Sequence, residues 1–275
     1  MSNYFNICDG SNLTNALPHG IAISAGLYDG RNVEYIRVQG VNPDVDAAGT
    51  DEDIWNGGGL YTGFPTGAAE TLTIVSDSAA DDLGSTGAEV IRLYGVTASG
   101  IRFTEDKTLD GLTPVVTTNT FYRLLLTRVI QSGTAKENIG SITIRHTTTT
   151  ANVFAVMPPG QGRSKVCAYT IPAGKQGVVV AFRSSMKNNA GAGTGAAIRA
   201  SLYSRLNDTD TFEDLGTTWV QSNSGVSEVR LDGGIALPED VPLPALTDLV
   251  MRAESGASAD NLHVVASFAL FMWDV

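Results

Sequence analysis

Short stretches of apolar–polar alternation, punctuated by glycine, proline and aspartate, restrict this chain more than any other feature. Ile142 and Ile144 alternate with Ser141, Thr143 and Arg145, and Ile198, Ala200 and Leu202 alternate with Ala197, Arg199 and Ser201. A period of two is that of a strand with one wet face. Further candidate strands cover 33–38, 72–75, 89–95, 153–157, 166–171, 178–182, 249–253 and 262–272. They are separated by turn signals such as Asp29-Gly30, Asp110-Gly111, Pro172 to Gly174 and Asp232 to Gly234. Few windows hold apolar residues at helical spacing for three turns. The runs 121–130 and 245–254 fit either period, but both are short and flanked by Gly, Pro or Thr, which favours strand. Charged residues make up only 17%, their place taken by Thr, Ser, Gly and Asn, which suit strands and turns. The expected fold is all-β, β-sandwich or jelly-roll-like, with two β-rich regions packed together.

A seam falls at Thr147 to Thr150, followed by Met157-Pro158-Pro159-Gly160. It suggests an N-terminal β-rich region over 1–150 and a C-terminal β-sandwich over 151–275, with a single shared core as the alternative. The last strand differs from the rest. Leu262, Val264, Ala266, Phe268, Leu270 and Met272 point one way, and Val265, Ala269, Phe271 and Trp273 the other. A strand apolar on both faces is covered on both. It is either central in a sheet or ends in a subunit interface, for which Phe271, Met272 and Trp273 are the candidate anchors.

The formal charge of −11 argues against wrapping nucleic acid or coating an anionic membrane. The first residues lack a basic segment followed by an apolar one, and no run approaches the ~18 apolar residues of a membrane helix. Cys8 and Cys167 lie far apart without zinc spacing and are expected to be reduced thiols in a chain made in cytoplasm. The glycine-rich Gly191 to Gly195 lacks the strand–loop–helix context of a phosphate site. There is no Gly-x-Ser-x-Gly elbow and no His-Glu-x-x-His; His19, His146 and His263 read as structural or edge residues. The best metal candidates are acidic loops. Asp44, Asp46, Asp51 and Asp53 could together suit Ca²⁺, with smaller clusters at Asp77, Asp81 and Asp82 and at Asp208, Asp210, Glu213 and Asp214. Solvated loops are the simpler reading of all three. No catalytic residue and no cofactor are expected, and the weight falls on a structural or adhesive role.

The segments 37–46 (Arg-Val-Gln-Gly-Val-Asn-Pro-Asp-Val-Asp), 52–59 (Glu-Asp-Ile-Trp-Asn-Gly-Gly-Gly), 72–82, 84–88 and 90–95 resemble virion structural proteins of tailed bacteriophages. The likeness is best over 33–100. It extends more loosely to the C-terminal half through 168–174 and 237–244, which look like the sandwich modules such proteins carry. The resemblance implies that Trp55 plugs a core from a glycine-rich loop and that Asp81-Asp82 turns the chain between two strands. It also implies a non-enzymatic particle component. The favoured form is a head decoration or cement protein, a homo-oligomer (a trimer) bound across major capsid protein, made in the host cytoplasm and located in the virion. A tail or tail-fibre protein that touches a receptor is the first alternative. A carbohydrate-binding β-sandwich is the second, with Trp55, Tyr61, Phe64 and Trp219 as its aromatic candidates. Trp55, Tyr61 and Phe64 are also the candidate interface residues of the glycine-rich loop.

Overall fold

A computed structural model describes residues 33–46, 49–65, 67–188, 196–206, 211–222, 226–232, 242–256 and 262–275. Cys8, His19, the Gly191 to Gly195 loop, Asp208 and Asp210 lie outside the described residues. Within them the chain is all-β. Its strands are β1 (Val33–Val45), β2 (Glu52–Asp53), β3 (Leu72–Ser76), β4 (Ala88–Val96), β5 (Arg102–Thr108), β6 (Val115–Val116), β7 (Arg123–Ser132) and β8 (Ile142–His146). They continue with β9 (Val153–Met157), β10 (Ala168–Thr170), β11 (Lys175–Asn188), β12 (Ala196–Arg205), β13 (Glu213–Ser222), β14 (Val226–Asp232), β15 (Asp248–Ser255) and β16 (Leu262–Asp274). Both ambiguous runs, 121–130 and 245–254, are strands.

Four sheets form two sandwiches. The first joins a sheet ordered β1-β16-β11-β14 to one ordered β10-β15-β12-β13, with β2 paired to β15. Between them lie Val38, Ile54, Cys167, Phe182, Ile198, Leu202, Met251, Val264, Phe268 and Leu270, all buried. The second sandwich joins β6-β3-β8-β9 to β5-β4-β7. Its core holds Leu72, Ile74, Ile91, Leu93, Phe121, Ile142, Ile144 and Phe154. Alternation explains the pattern: β8 reads buried, half-buried, buried, with Ile142 and Ile144 inward, as β12 does with Ile198 and Ala200.

The second sandwich is inserted in the first. β1 pairs with β16 along its length, from Val33 opposite Trp273 to Val45 opposite Leu262. β8 and β9 flank the four threonines and pair with each other, Ile142 opposite Met157. Strand pairing therefore runs across position 150. The threonine stretch is a hairpin connection, its Thr147 hydroxyl donating to the Thr71 carbonyl at 3.0 Å. β16 lies between β1 and β11, so it is central in its sheet. Leu270 and Met272 face the core, while Ala269 and Trp273 are buried on the opposite face.

The two layers come into close backbone contact at Gly40. A Cβ there would lie 2.1 Å from the Ile54 carbonyl and 2.4 Å from the Cys167 backbone nitrogen, and neither is a flexible side chain. Gly40→Ala is expected to destabilise the chain by about 1–3 kcal/mol or more, through forced separation of β1 from the facing backbone. Urea unfolding of the purified variant would measure it, and an unchanged midpoint would contradict the close approach.

Candidate functional site

The junction of the two sandwiches is built from charges and aromatic rings. Asp248 opens β15, is 2% exposed and receives two guanidinium groups. Arg123 from β7 donates through Nε at 3.2 Å and NH2 at 3.0 Å. Arg205 from the end of β12 donates through Nε at 3.2 Å and NH2 at 2.8 Å. The hydroxyl of Thr170 on β10 adds a bond at 2.5 Å. Arg123 also donates to the Pro65 carbonyl at 3.1 Å. Rings cover the cations: Arg123 lies 4.0 Å from the Tyr122 centroid, and Arg205 lies 4.7 Å from that of Phe212. Breaking a buried ion cluster by removing one partner is strongly destabilising, because the charge left behind stays desolvated. The second sandwich is thereby pinned to the first through Arg123.

Beside this cluster lies the glycine-rich loop. Trp55, Tyr61, Ala168 and Val250 are buried together, with Phe64, Val153, Val156, Tyr203 and Phe212 around them. Trp55 meets Tyr61 edge-on at 5.3 Å, and Tyr61 meets Phe64 edge-on at 5.2 Å. Gly57 lies under the indole, where a Cβ would fall 2.2 Å from it. The Tyr61 hydroxyl donates to the Phe154 carbonyl at 3.1 Å, and the Asn56 amide donates to that of Val156 at 3.3 Å. The loop thus ties the first sandwich to β9 of the second. Trp55 and Tyr61 are anchors between two parts of one chain and are closed to solvent. Phe64 is half-buried between Tyr61 and Phe212.

The three terminal candidates are likewise held within the chain: Met272 is fully buried, Trp273 is 8% exposed, and Phe271 lies 5.4 Å from Tyr35. Trp219, by contrast, is 58% exposed on β13.

The acidic candidates do not converge. Arg252 holds Asp53 at 2.8 Å, and Arg199 holds Asp51 at 3.1 Å. The Asp53 carboxylate also accepts from the Tyr61 backbone N–H at 2.6 Å. Burial pushes the Asp53 carboxyl up, against the pull of Arg252. Asp44 and Asp46 are exposed. Among the described residues no group of three or more His, Cys, Asp or Glu side chains converges as a metal site would. Of the histidines, His146 is buried beside Phe154, and burial lowers its pKa against the influence of Glu70. His263 is half-buried.

Asp81 organises the far tip of the second sandwich. It is fully buried. Its carboxylate accepts from the backbone N–H groups of Ala88, Ile139 and Gly140, each at 2.8 Å, and from the Ser76 hydroxyl at 2.6 Å. The backbone of Gly111 donates to its carbonyl at 2.9 Å. The carboxylate fixes the loops after β3 and β7, and the backbone carbonyl of the same residue fixes the loop after β5. Each presents an exposed aliphatic residue: Leu83 (59%), Leu112 (60%) and Ile139 (41%).

A cleft of about 580 Å³ runs between β1 of the first sandwich and the β5-β4-β7 sheet of the second. Ile36, Val38, Leu125 and Val166 give it an apolar floor, and Tyr35, Tyr94 and Phe103 give it aromatic walls. Its mouth is strapped by Arg102 on β5, which donates to both oxygens of Glu34 on β1 at 2.6 and 2.5 Å. Lys175 approaches the same carboxylate at 2.8 Å.

No protein-family model matches the sequence, and no curated protein matches it. Among solved structures, the chain is similar to that of the infectious bursal disease virus Gt strain (10% identity, 88% of this chain and 72% of that chain covered, TM-score 0.23). It is similar also to the VP2 subviral particle of that virus (10%, 88% and 72%, TM-score 0.22) and to the T13 viral particle (10%, 90% and 74%, TM-score 0.23). The likeness is distant in both sequence and superposition.

Two outcomes check this geometry. Asp248→Ala leaves two buried guanidinium groups without their carboxylate and is expected to cost about 3–5 kcal/mol in urea unfolding. Arg102 holds the Glu34 carboxyl below its ordinary value of 4.5, with burial opposing and Lys175 assisting. A lowered carboxylate pKa contributes stability that is complete above that ordinary value and is lost as pH falls through the folded value. Melting temperature is therefore expected to fall below pH 4.5, and Glu34→Gln to flatten part of that slope.

Proposed function

We propose that this chain is a non-enzymatic structural component of a tailed-phage virion. The specific role we assign is that of a head decoration protein, a closed homo-oligomer seated on major capsid protein. The observation that carries this reading is the tip around Asp81. Three separate loops are locked at one buried residue, two by its carboxylate and one by its backbone carbonyl, and each offers an aliphatic side chain to solvent. A preorganised apolar contact loses little conformational freedom on docking. The junction at Asp248 supports the same reading, because it makes the tip and the first sandwich one stiff unit. Such a unit can bridge neighbouring subunits and add buried area to the assembled lattice only. A net charge of −11 would keep coated particles apart. The resemblance of 37–46, 52–59, 72–82, 84–88 and 90–95 to tailed-phage virion proteins points the same way.

A tail location is the competing assignment within the virion, and copy number separates the two. Quantitative gel analysis of purified particles is expected to give on the order of hundreds of copies, the number set by a head lattice. A handful of copies would move the protein to the tail, and its absence from particles would end the virion reading. Leu83→Ser combined with Leu112→Ser is expected to leave the melting temperature unchanged, since both side chains are exposed, while lowering incorporation into particles.

A further inference from the structure

The cleft between the sandwiches has a charge opposite to that of the chain. The sequence holds 29 acidic against 18 basic residues. Yet the lining of the cleft includes Arg37, Arg102 and Arg163 and not one Asp or Glu. Arg102 is engaged by Glu34 just outside. Arg163 is exposed and gives one N–H to the Gln39 side-chain oxygen at 3.0 Å, which leaves further donors of its fork open. Arg37 is exposed and has no carboxylate partner among the described residues. A ridge of Tyr35 and Arg37 separates the cleft from a shallow groove of about 90 Å³ on the outer face of the same sheet. That groove is lined by Arg183, Ala181, Ser267 and Ala269, again without a carboxylate. Farther along the face, Lys187 on β11 stands opposite His263 on β16. Low-dielectric walls of one charge concentrate anions.

Shape narrows the class of anion. The cleft follows β1 from Glu34 to Gln39 and is bridged at one end by Arg102–Glu34 and at the other by Arg163–Gln39. Five residue steps span roughly 17 Å at ~3.3 Å per residue. An extended polypeptide would have to pass both bridges, whereas two or three sugar rings fit between them. A volume of 580 Å³ lies within the usual range for small-ligand sites. Tyrosine rings present a flat apolar face and a hydroxyl at the edge, which suits a ring that is apolar on one side and hydroxylated around its rim.

We propose that this cleft binds an acidic oligosaccharide, its carboxylate held by Arg37 and Arg163 and its rings lying against Tyr35, Tyr94 and Phe103. The assignment does not depend on where in a virion the chain resides. It replaces the aromatic set expected from the sequence, of which Trp55 and Tyr61 are closed inside the molecule.

The test uses the purified full chain, with calorimetry or saturation-transfer NMR against four probes: sialyllactose, a hyaluronan tetrasaccharide, lactose and hexaglutamate. At least one acidic sugar is expected to bind, more weakly at raised salt, with lactose at least about tenfold weaker. Arg37→Ala with Arg163→Ala is expected to lower that affinity by about tenfold or more at an unchanged melting temperature, since neither residue is buried. Tyr94→Ser is expected to weaken the sugar while sparing the salt dependence. No binding of either acidic sugar, equal binding of lactose, an unaffected double variant, or tighter binding of hexaglutamate would each overturn the proposal. Because none of these readings involves particles, failure here leaves the copy-number experiment untouched.

Discussion

A single carboxylate, Asp248, holds the architecture in register. It lies where β15 of the first sandwich begins, and it draws in Arg205 from the adjacent β12 and Arg123 from the inserted sandwich. Replacing such a cluster with well-fitted aliphatic groups is often neutral or stabilising, so its worth is not a large net energy. Its effect is one of geometry. Two guanidinium forks against one carboxylate accept few arrangements, and the rings of Tyr122, Phe64 and Phe212 on the cations remove the others. The cleft has walls from both of the sandwiches that this junction joins.

The interior of each sandwich follows from simple alternation, but the junction mixes chemistries that would be unstable apart. Asp53 with Arg252 and Asp51 with Arg199 extend the ion pairs outward across β2, β12 and β15. Aromatic residues from the loop after β2 fill the space between the pairs. Polar cement of this kind limits rotation, where a purely apolar seam would allow the two bodies to slide. Asp81 plays a similar part at the opposite end, where its carboxylate satisfies backbone N–H groups of Ala88, Ile139 and Gly140 beside the backbone bonds that the loops make to one another.

What was legible in the sequence was what is local. Period-two alternation marked β4, β8 and β12, whose buried residues alternate with half-buried ones, and a largely apolar run marked β16, which is covered on both faces. β5 escaped notice because it is an edge strand of alternating half-buried and exposed residues whose sequence, Arg-Phe-Thr-Glu-Asp-Lys-Thr, carries almost no apolar signal. The Trp55 loop read correctly as a core plug, yet its target, the face between two sandwiches, could not be seen from one strand. Arg123, Asp248 and Arg205 left no trace, for the partners stand 125 and 43 residues apart. The carboxylates at 51 and 53, read as possible calcium ligands, meet arginines instead. Pairing of distant charges is settled by topology, and topology is what a single strand pattern does not contain.

The pairing of β1 with β16 also sets an order of events. Residues 72–157 hold a complete sandwich of mostly nearby partners, which a nascent chain can assemble early. The first sandwich cannot close until β16 has been synthesised, so β1 must wait through the whole of β2 to β15 for its partner. Loss of β16 would therefore take away a strand from the middle of that sheet and leave both its neighbours without a partner on that side.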